Sequence, residues 1–306
     1  MSKILFFGGK GGVGKTSCSS AFAIRHANSD KKVLLVSTDP AHSTSDLFNR
    51  PIGSTIVNLR SNLDALEIDP QKEADDYISS IKDHMSQIIS PIILDELNKQ
   101  LDAARVSPGS HESALFDKMV DIIISTSDNY DMIIFDTAPT GHTIRLLSLP
   151  EVLGAWIESL LRKRRKSVAL KRMVDRIKGT EDQPDPIVEI LSRRRNNLEK
   201  AREIMMNGDN LGFVFVMNAE RLPIEETKKA VDLLNKYKVP VKYLVVNRIL
   251  PESDDLFWKH KKSMEGKYLD EIDKSFSVEK VFKVPMFIDD MKDSTIDKMA
   301  EYFKDS

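Results

Sequence analysis

Cysteine is almost missing from this sequence: Cys18 is the one thiol among 306 residues. That excludes a disulfide framework and leaves no ligand set for a thiolate zinc site or an iron–sulfur cluster. Long apolar runs are missing too. None approaches the roughly 18–20 residues that cross a bilayer, and the opening Ile4-Leu5-Phe6-Phe7 is too short for a signal peptide. Neither sign of charge dominates, since 45 Lys and Arg stand against 47 Asp and Glu for a formal net charge of −2. That balance gives no overall attraction to nucleic acid, and none is expected as a partner. With 41% hydrophobic and 30% charged residues, the chain can bury the core of one large domain, or of a domain with an insert. A cytoplasmic protein is the expectation.

Short all-apolar runs mark the candidate strands: Ile4 to Phe7, Lys32 to Ser37, Met132 to Phe135, Gly212 to Met217 and Tyr243 to Val246. Strands of this kind are buried on both faces, and helix-length amphipathic segments separate them, which predicts a doubly wound, mostly parallel α/β sheet. Two stretches break the alternation. Neither Asp69–Ser107 nor Pro150–Gly208 offers a strand, and helical stripes run through both, including Leu153, Trp156, Ile157 and Leu160. The expected organisation is a nucleotide-binding domain from 1–70, 107–150 and 208–306. An inserted α-helical subdomain is expected from 71–106 and 151–207. The run from Arg162 to Lys178 carries nine basic residues against Asp175. It reads either as a membrane or nucleic-acid patch or, more simply, as a solvated connector.

The strongest signal is Gly9-Lys10-Gly11-Gly12-Val13-Gly14-Lys15-Thr16, set directly after the first strand and opening a helix. It satisfies the G-x-x-x-x-G-K-[ST] phosphate loop in its required context. The glycines let backbone N–H groups face the phosphates at the positive end of the helix. Lys15 adds charge at the β and γ oxygens, Thr16 is placed to hold Mg²⁺, and Ser17 extends the cradle. Nucleoside triphosphate binding follows. Lys10 is unusual, because ordinary loops carry one lysine and this one carries two.

Two further segments lie at the carboxyl ends of predicted parallel strands, where open α/β sheets place their ligands. They are Thr38-Asp39-Pro40-Ala41-His42-Ser43-Thr44-Ser45-Asp46-Leu47-Phe48 and Asp136-Thr137-Ala138-Pro139-Thr140-Gly141-His142-Thr143-Ile144-Arg145-Leu146. An acid there orients an attacking water or holds a metal through water. The chain lacks an Asn-Lys-x-Asp guanine reader, since Asn235-Lys236-Tyr237-Lys238 ends in lysine. ATP is favoured over GTP.

Taken together, the loop and the two segments closely resemble the ArsA/Get3 family of dimeric P-loop ATPases, and the resemblance covers most of the chain. It implies a homodimer in which Lys10 reaches the phosphates of the opposite subunit. It also implies that Asp39 polarises the hydrolytic water and that Asp136 holds Mg²⁺ through water. Glu220, Asn247 and Pro285 fall at nucleoside-side positions of the family pattern. The resemblance implies a targeting role too, in which paired helical inserts form a groove for the hydrophobic helices of tail-anchored membrane proteins, with a membrane receptor nearby. Leu153, Trp156, Ile157 and Leu160 are the groove candidates. They fit the insert's own core equally well. An arsenite-pump ATPase and a partitioning ATPase (ParA/MinD-like) are the alternatives. Many members share a zinc ion between subunits through a Cys-x-x-Cys pair. Here that interval reads Glu252 to Lys261 without a thiol, so no zinc is expected.

Overall fold

The computed structural model describes residues 3–39, 43–73, 75–76, 79, 82, 110–137, 157–159, 161–166, 168–169, 185–206 and 210–304. The chain divides into two compact units, one of 1–70, 126–144 and 206–306, the other of 71–125 and 145–205.

The first unit is built on one eight-stranded sheet. Its strands are β1 (Ile4–Gly8), β2 (Val33–Ser37), β3 (Val57–Arg60), β4 (Leu63–Glu67), β5 (Met132–Asp136), β6 (Leu211–Asn218), β7 (Val241–Ile249) and β8 (Lys280–Pro285). They lie in the order β3-β4-β2-β5-β1-β6-β7-β8. Every neighbouring pair is parallel except β3 with β4. This is the doubly wound P-loop architecture. The five apolar runs became the five central strands. The other three were not expected. Val57-Asn58-Leu59-Arg60 alternates with polar residues, as a half-exposed edge strand does. Pro285, expected on the nucleoside side, ends β8, whose partner β7 pairs Lys283 with Val246.

The described helices are α1 (Lys15–Ala27), α2 (Ser43–Phe48), α3 (Ser110–Thr126), α4 (Pro186–Met206), α5 (Arg221–Lys236), α6 (Leu256–Ser275) and α7 (Asp293–Ala300). Helix α1 is small and apolar along its sheet side, with Cys18, Ala21, Phe22 and Ile24 fully buried. Phe22 is the hub of an aromatic cluster. Its ring lies 5.4 Å from Phe7, 6.1 Å from Phe282 and 5.6 Å from Phe303, all at edge-on angles favoured by aromatic quadrupoles. That packing fixes the helix that opens at Lys15.

In the second unit, Ile157, Leu161, Leu198, Ala201 and Met205 are buried. Asp117 of α3 pairs with Arg194 of α4, and Asn197 donates to Asp121 at 3.3 Å. These ties group Ser110–Ser125 with the helices, although the sequence suggested the sheet unit. The Arg164 guanidinium clamps Asp185 from Nε and a terminal nitrogen, at 3.2 and 2.8 Å to one oxygen. Asp185 in turn accepts from the Val188 N–H at 3.1 Å, capping α4. One member of the basic run is thus a structural clamp; 170–184 lie outside the described residues. So do Leu153, Trp156 and Leu160 of the groove candidates. No helix among the described residues is long and apolar enough to cross a membrane.

Candidate active site

The chain reverses direction in the sheet at β1, and the loop that leaves β1 sits where an open α/β sheet opens its crevice. Two threonines bind the neighbouring strand ends together. Thr38, after β2, donates its N–H and hydroxyl to the Asp136 carbonyl at 2.9 and 3.1 Å. Thr137, after β5, donates its hydroxyl to the Phe7 carbonyl at 2.7 Å. Asp39 and Asp136 are carried out of β2 and β5 side by side, next to the end of β1.

The phosphate loop is held from below. Val13 is buried in the core and Asn247, at the end of β7, donates from Nδ2 to the Val13 carbonyl at 2.8 Å. Gly14 adopts a φ of +93° and a Cβ there would fall 2.4 Å from Asn247 Nδ2, so both backbone and space demand glycine. Gly11 and Gly12 would meet nothing within 4 Å. The loop's open side is the side that approaching phosphates need. Helix α1 begins at Lys15, and the N–H groups of its first turn, those of Lys15, Thr16 and Ser17, lie at the positive end of the helix. They form the anion-binding end of the loop. Lys15 is buried and donates from Nζ to the Lys10 carbonyl at 3.3 Å. Burial lowers its pKa from the usual lysine value, while the nearby carboxylates of Asp136 and Asp39 oppose that shift.

Asp136 is almost wholly buried, and among the described residues neither carboxylate oxygen has a hydrogen-bond partner of good geometry. Burial pushes its pKa up to about 7. The Thr16 hydroxyl and Lys15 ammonium act in the opposite sense, and the negative charge of Asp39 adds to the rise. A buried acid with open lone pairs beside a hydroxyl suits a hard cation that keeps its waters, as magnesium does. The residues fit that ion. Asp39 is half-buried, at the mouth of the site.

Beyond the carboxyl ends of β6, β7 and β8 lies a cavity of about 580 Å³, lined by Asn218, Glu220, Arg248, Trp258 and Met286 among others. Glu220, Asn247 and Pro285 were the nucleoside-side expectations. Glu220 lines the cavity, exposed at the start of α5, and makes no side-chain cap there. Asn247 and Pro285 immediately precede the lining residues Arg248 and Met286. Asn247 is more than a nucleoside neighbour, since its amide fastens the phosphate loop.

No motif marks Glu67. Buried at the end of β4, it accepts from the Ser45 N–H at 2.9 Å and hydroxyl at 2.7 Å, pinning α2 behind Asp39. Residues 40–42 and 138–156, including His42 and His142, lie outside the described set. Cys18 is fully buried, and burial raises its thiol pKa far above the normal range. Among the described residues no three His, Cys, Asp or Glu side chains form a metal-holding group.

Comparison with known proteins agrees with this geometry. Residues 2–304 match the family described as Anion-transporting ATPase. The chain is 38% identical over 282 residues to a "Putative arsenical pump-driving ATPase 2" of Aquifex aeolicus, covering 91% of each. It is 35% identical to "ATPase GET3B" of Arabidopsis thaliana, covering 88% of this chain and 70% of that one. With an "ATPase ASNA1 homolog" of Entamoeba dispar it shares 33% identity, over 93% of this chain and 88% of the relative.

Proposed function

This chain belongs to the anion-transporting ATPase family and hydrolyses ATP, and on that premise we propose that it is a dimeric targeting factor. It couples ATP binding and hydrolysis to the capture and release of the hydrophobic helices of tail-anchored membrane proteins. The observation that carries the dimer is the direction of Lys10. Its ammonium points away from the loop that bears it, toward Glu226 of α5, while Lys15 alone lies along the loop. A second lysine placed at the outer rim suits a neighbour's triphosphate. The helical second unit and the relatives named GET3B and ASNA1 homolog support the targeting role.

In this scheme the first-turn N–H groups of α1 and Lys15 bind the phosphates, and the partner's Lys10 adds charge where the transferring phosphoryl group becomes more anionic. Asp39 orients the attacking water. A carboxylate is a weak base toward water, so its contribution is position. Thr16, with Asp136 through water, holds magnesium, which when bound supplies neutralising charge at the β and γ oxygens. Loss of the γ-phosphate then removes contacts that hold the loops after β2 and β5, and the subunits open.

The name of the Aquifex relative favours a second reading, an ATPase that drives arsenical export. Soft metalloids need several thiolates, and this chain offers one, buried and kept protonated. The deciding experiment is co-expression with a tail-anchored substrate, followed by pull-down with and without ATP. Nucleotide-dependent capture of the hydrophobic tail supports targeting. Arsenite-stimulated turnover without capture moves the assignment to the pump, and ATP-dependent retention on DNA moves it to a partitioning role.

A further inference from the structure

Lys10 already has a counter-ion within its own chain. Its Nζ lies 2.9 Å from Oε1 of Glu226, a residue 216 positions away. The meeting is arranged by backbone. A Cβ on Gly9 would fall 2.2 Å from the Val216 carbonyl oxygen, so the phosphate loop starts tight against the end of β6. Strand β6 continues through Ala219 and Glu220 into α5, and Glu226 sits on the second turn of that helix. The adjacent acid, Glu225, turns to Lys228 at 3.3 Å instead. Lys10 and Glu226 have side-chain exposures of 42% and 53%, so their pair stands in water and exchanges readily.

Resting on the reading that Lys10 serves the opposite subunit's triphosphate, we propose that Glu226 is the resting-state counter-ion of Lys10. It holds the ammonium at the rim of its own site and gives it up when the subunits close. Closure is then an exchange of one anion for another, a single carboxylate for a triphosphate. The carboxylate competes with the closed form and so sets the protein concentration at which activity appears. An exposed pair of this kind changes an equilibrium by about 1.5- to 5-fold, and closure breaks one pair in each protomer, so the dimer equilibrium changes by about 2- to 25-fold.

The test follows ATPase activity against protein concentration at saturating Mg·ATP and low salt. Glu226→Gln should lower the concentration for half-maximal activity by about 2- to 25-fold with the plateau kcat unchanged. Glu226→Asp, one methylene shorter and equal in charge, should shift it in the same direction. Glu225→Gln, which changes net charge identically but leaves Lys10 paired, should not shift it. In 0.5 M salt the wild-type and Glu226→Gln curves should converge. Coincident curves at low salt, a shift to higher concentration, or an equal shift from Glu225→Gln would overturn the proposal. Lys10→Ala separates the two claims. Full hydrolysis by that variant removes the trans reading itself, whereas an inactive Lys10→Ala beside an inert Glu226→Gln removes only the role of Glu226.

Discussion

Replacing Asp136 by Asn should make the protein more stable while destroying its activity. In the fold, burial raises the carboxyl pKa to about 7 from its ordinary value of 3.8. A raised folded pKa means that the group's contribution is fully present below about 3.8 and is lost as pH climbs through about 7. The metal-free fold therefore loses about 2 kcal/mol by pH 5, where this carboxyl has ionised only in the unfolded chain, and about 4 kcal/mol by pH 8, at roughly 1.36 kcal/mol for each unit between the two values. Asn has the same shape and no charge, so it escapes that penalty. With chelator present and nucleotide removed, the melting temperature of Asp136→Asn should exceed that of wild type by roughly 8–16 °C at pH 8, and by about half that at pH 5. Adding magnesium and nucleotide together should narrow the gap, because the wild-type carboxylate then has a cation to face. Hydrolysis should be lost throughout. A gap that does not vary with pH, or an Asn protein that melts below wild type at pH 8, would refute the argument that desolvation dominates at this carboxyl.

Asp39→Asn should bind ATP with near wild-type affinity in calorimetry yet turn over about 10²- to 10⁴-fold more slowly in phosphate release. Asn247→Ala removes the tie to the Val13 carbonyl and leaves that buried acceptor unmatched. A stability loss of about 1–3 kcal/mol in urea unfolding and weaker ATP binding should follow. Cys18 should resist thiol reagents in the native protein at pH 8 and react only on unfolding, as counted by a chromogenic disulfide.

The features legible in the sequence were those written locally. The phosphate loop announces itself because its glycines, lysine and threonine must stand in fixed order on one short turn. Asp136 was visible because it directly follows an apolar run and Asp39 because it stands just beyond one, and a parallel strand delivers the residues at its end to the crevice. Burial on both faces made β1, β2, β5, β6 and β7 readable. Strands β3, β4 and β8 carry Asn58, Arg60, Asp64, Glu67, Lys280 and Lys283 within them, and that polarity hid them. What joins distant segments could not be read at all. Glu67 meets Ser45, Thr137 meets Phe7, and Lys10 meets Glu226 only once the sheet order is known. Asn247 was located by pattern, but its grip on Val13 depends on the register of β7 beside β6.

The aromatic nest around Phe22 has an engineering consequence. Phe303, three residues past the end of α7, is wedged against the same helix that presents Lys15 and Thr16. Support for the nucleotide-gripping segment is therefore lodged near the tail, some 280 residues downstream. Trimming the chain back to β8 would remove Phe303 and blunt phosphate grip without touching a single residue of the loop.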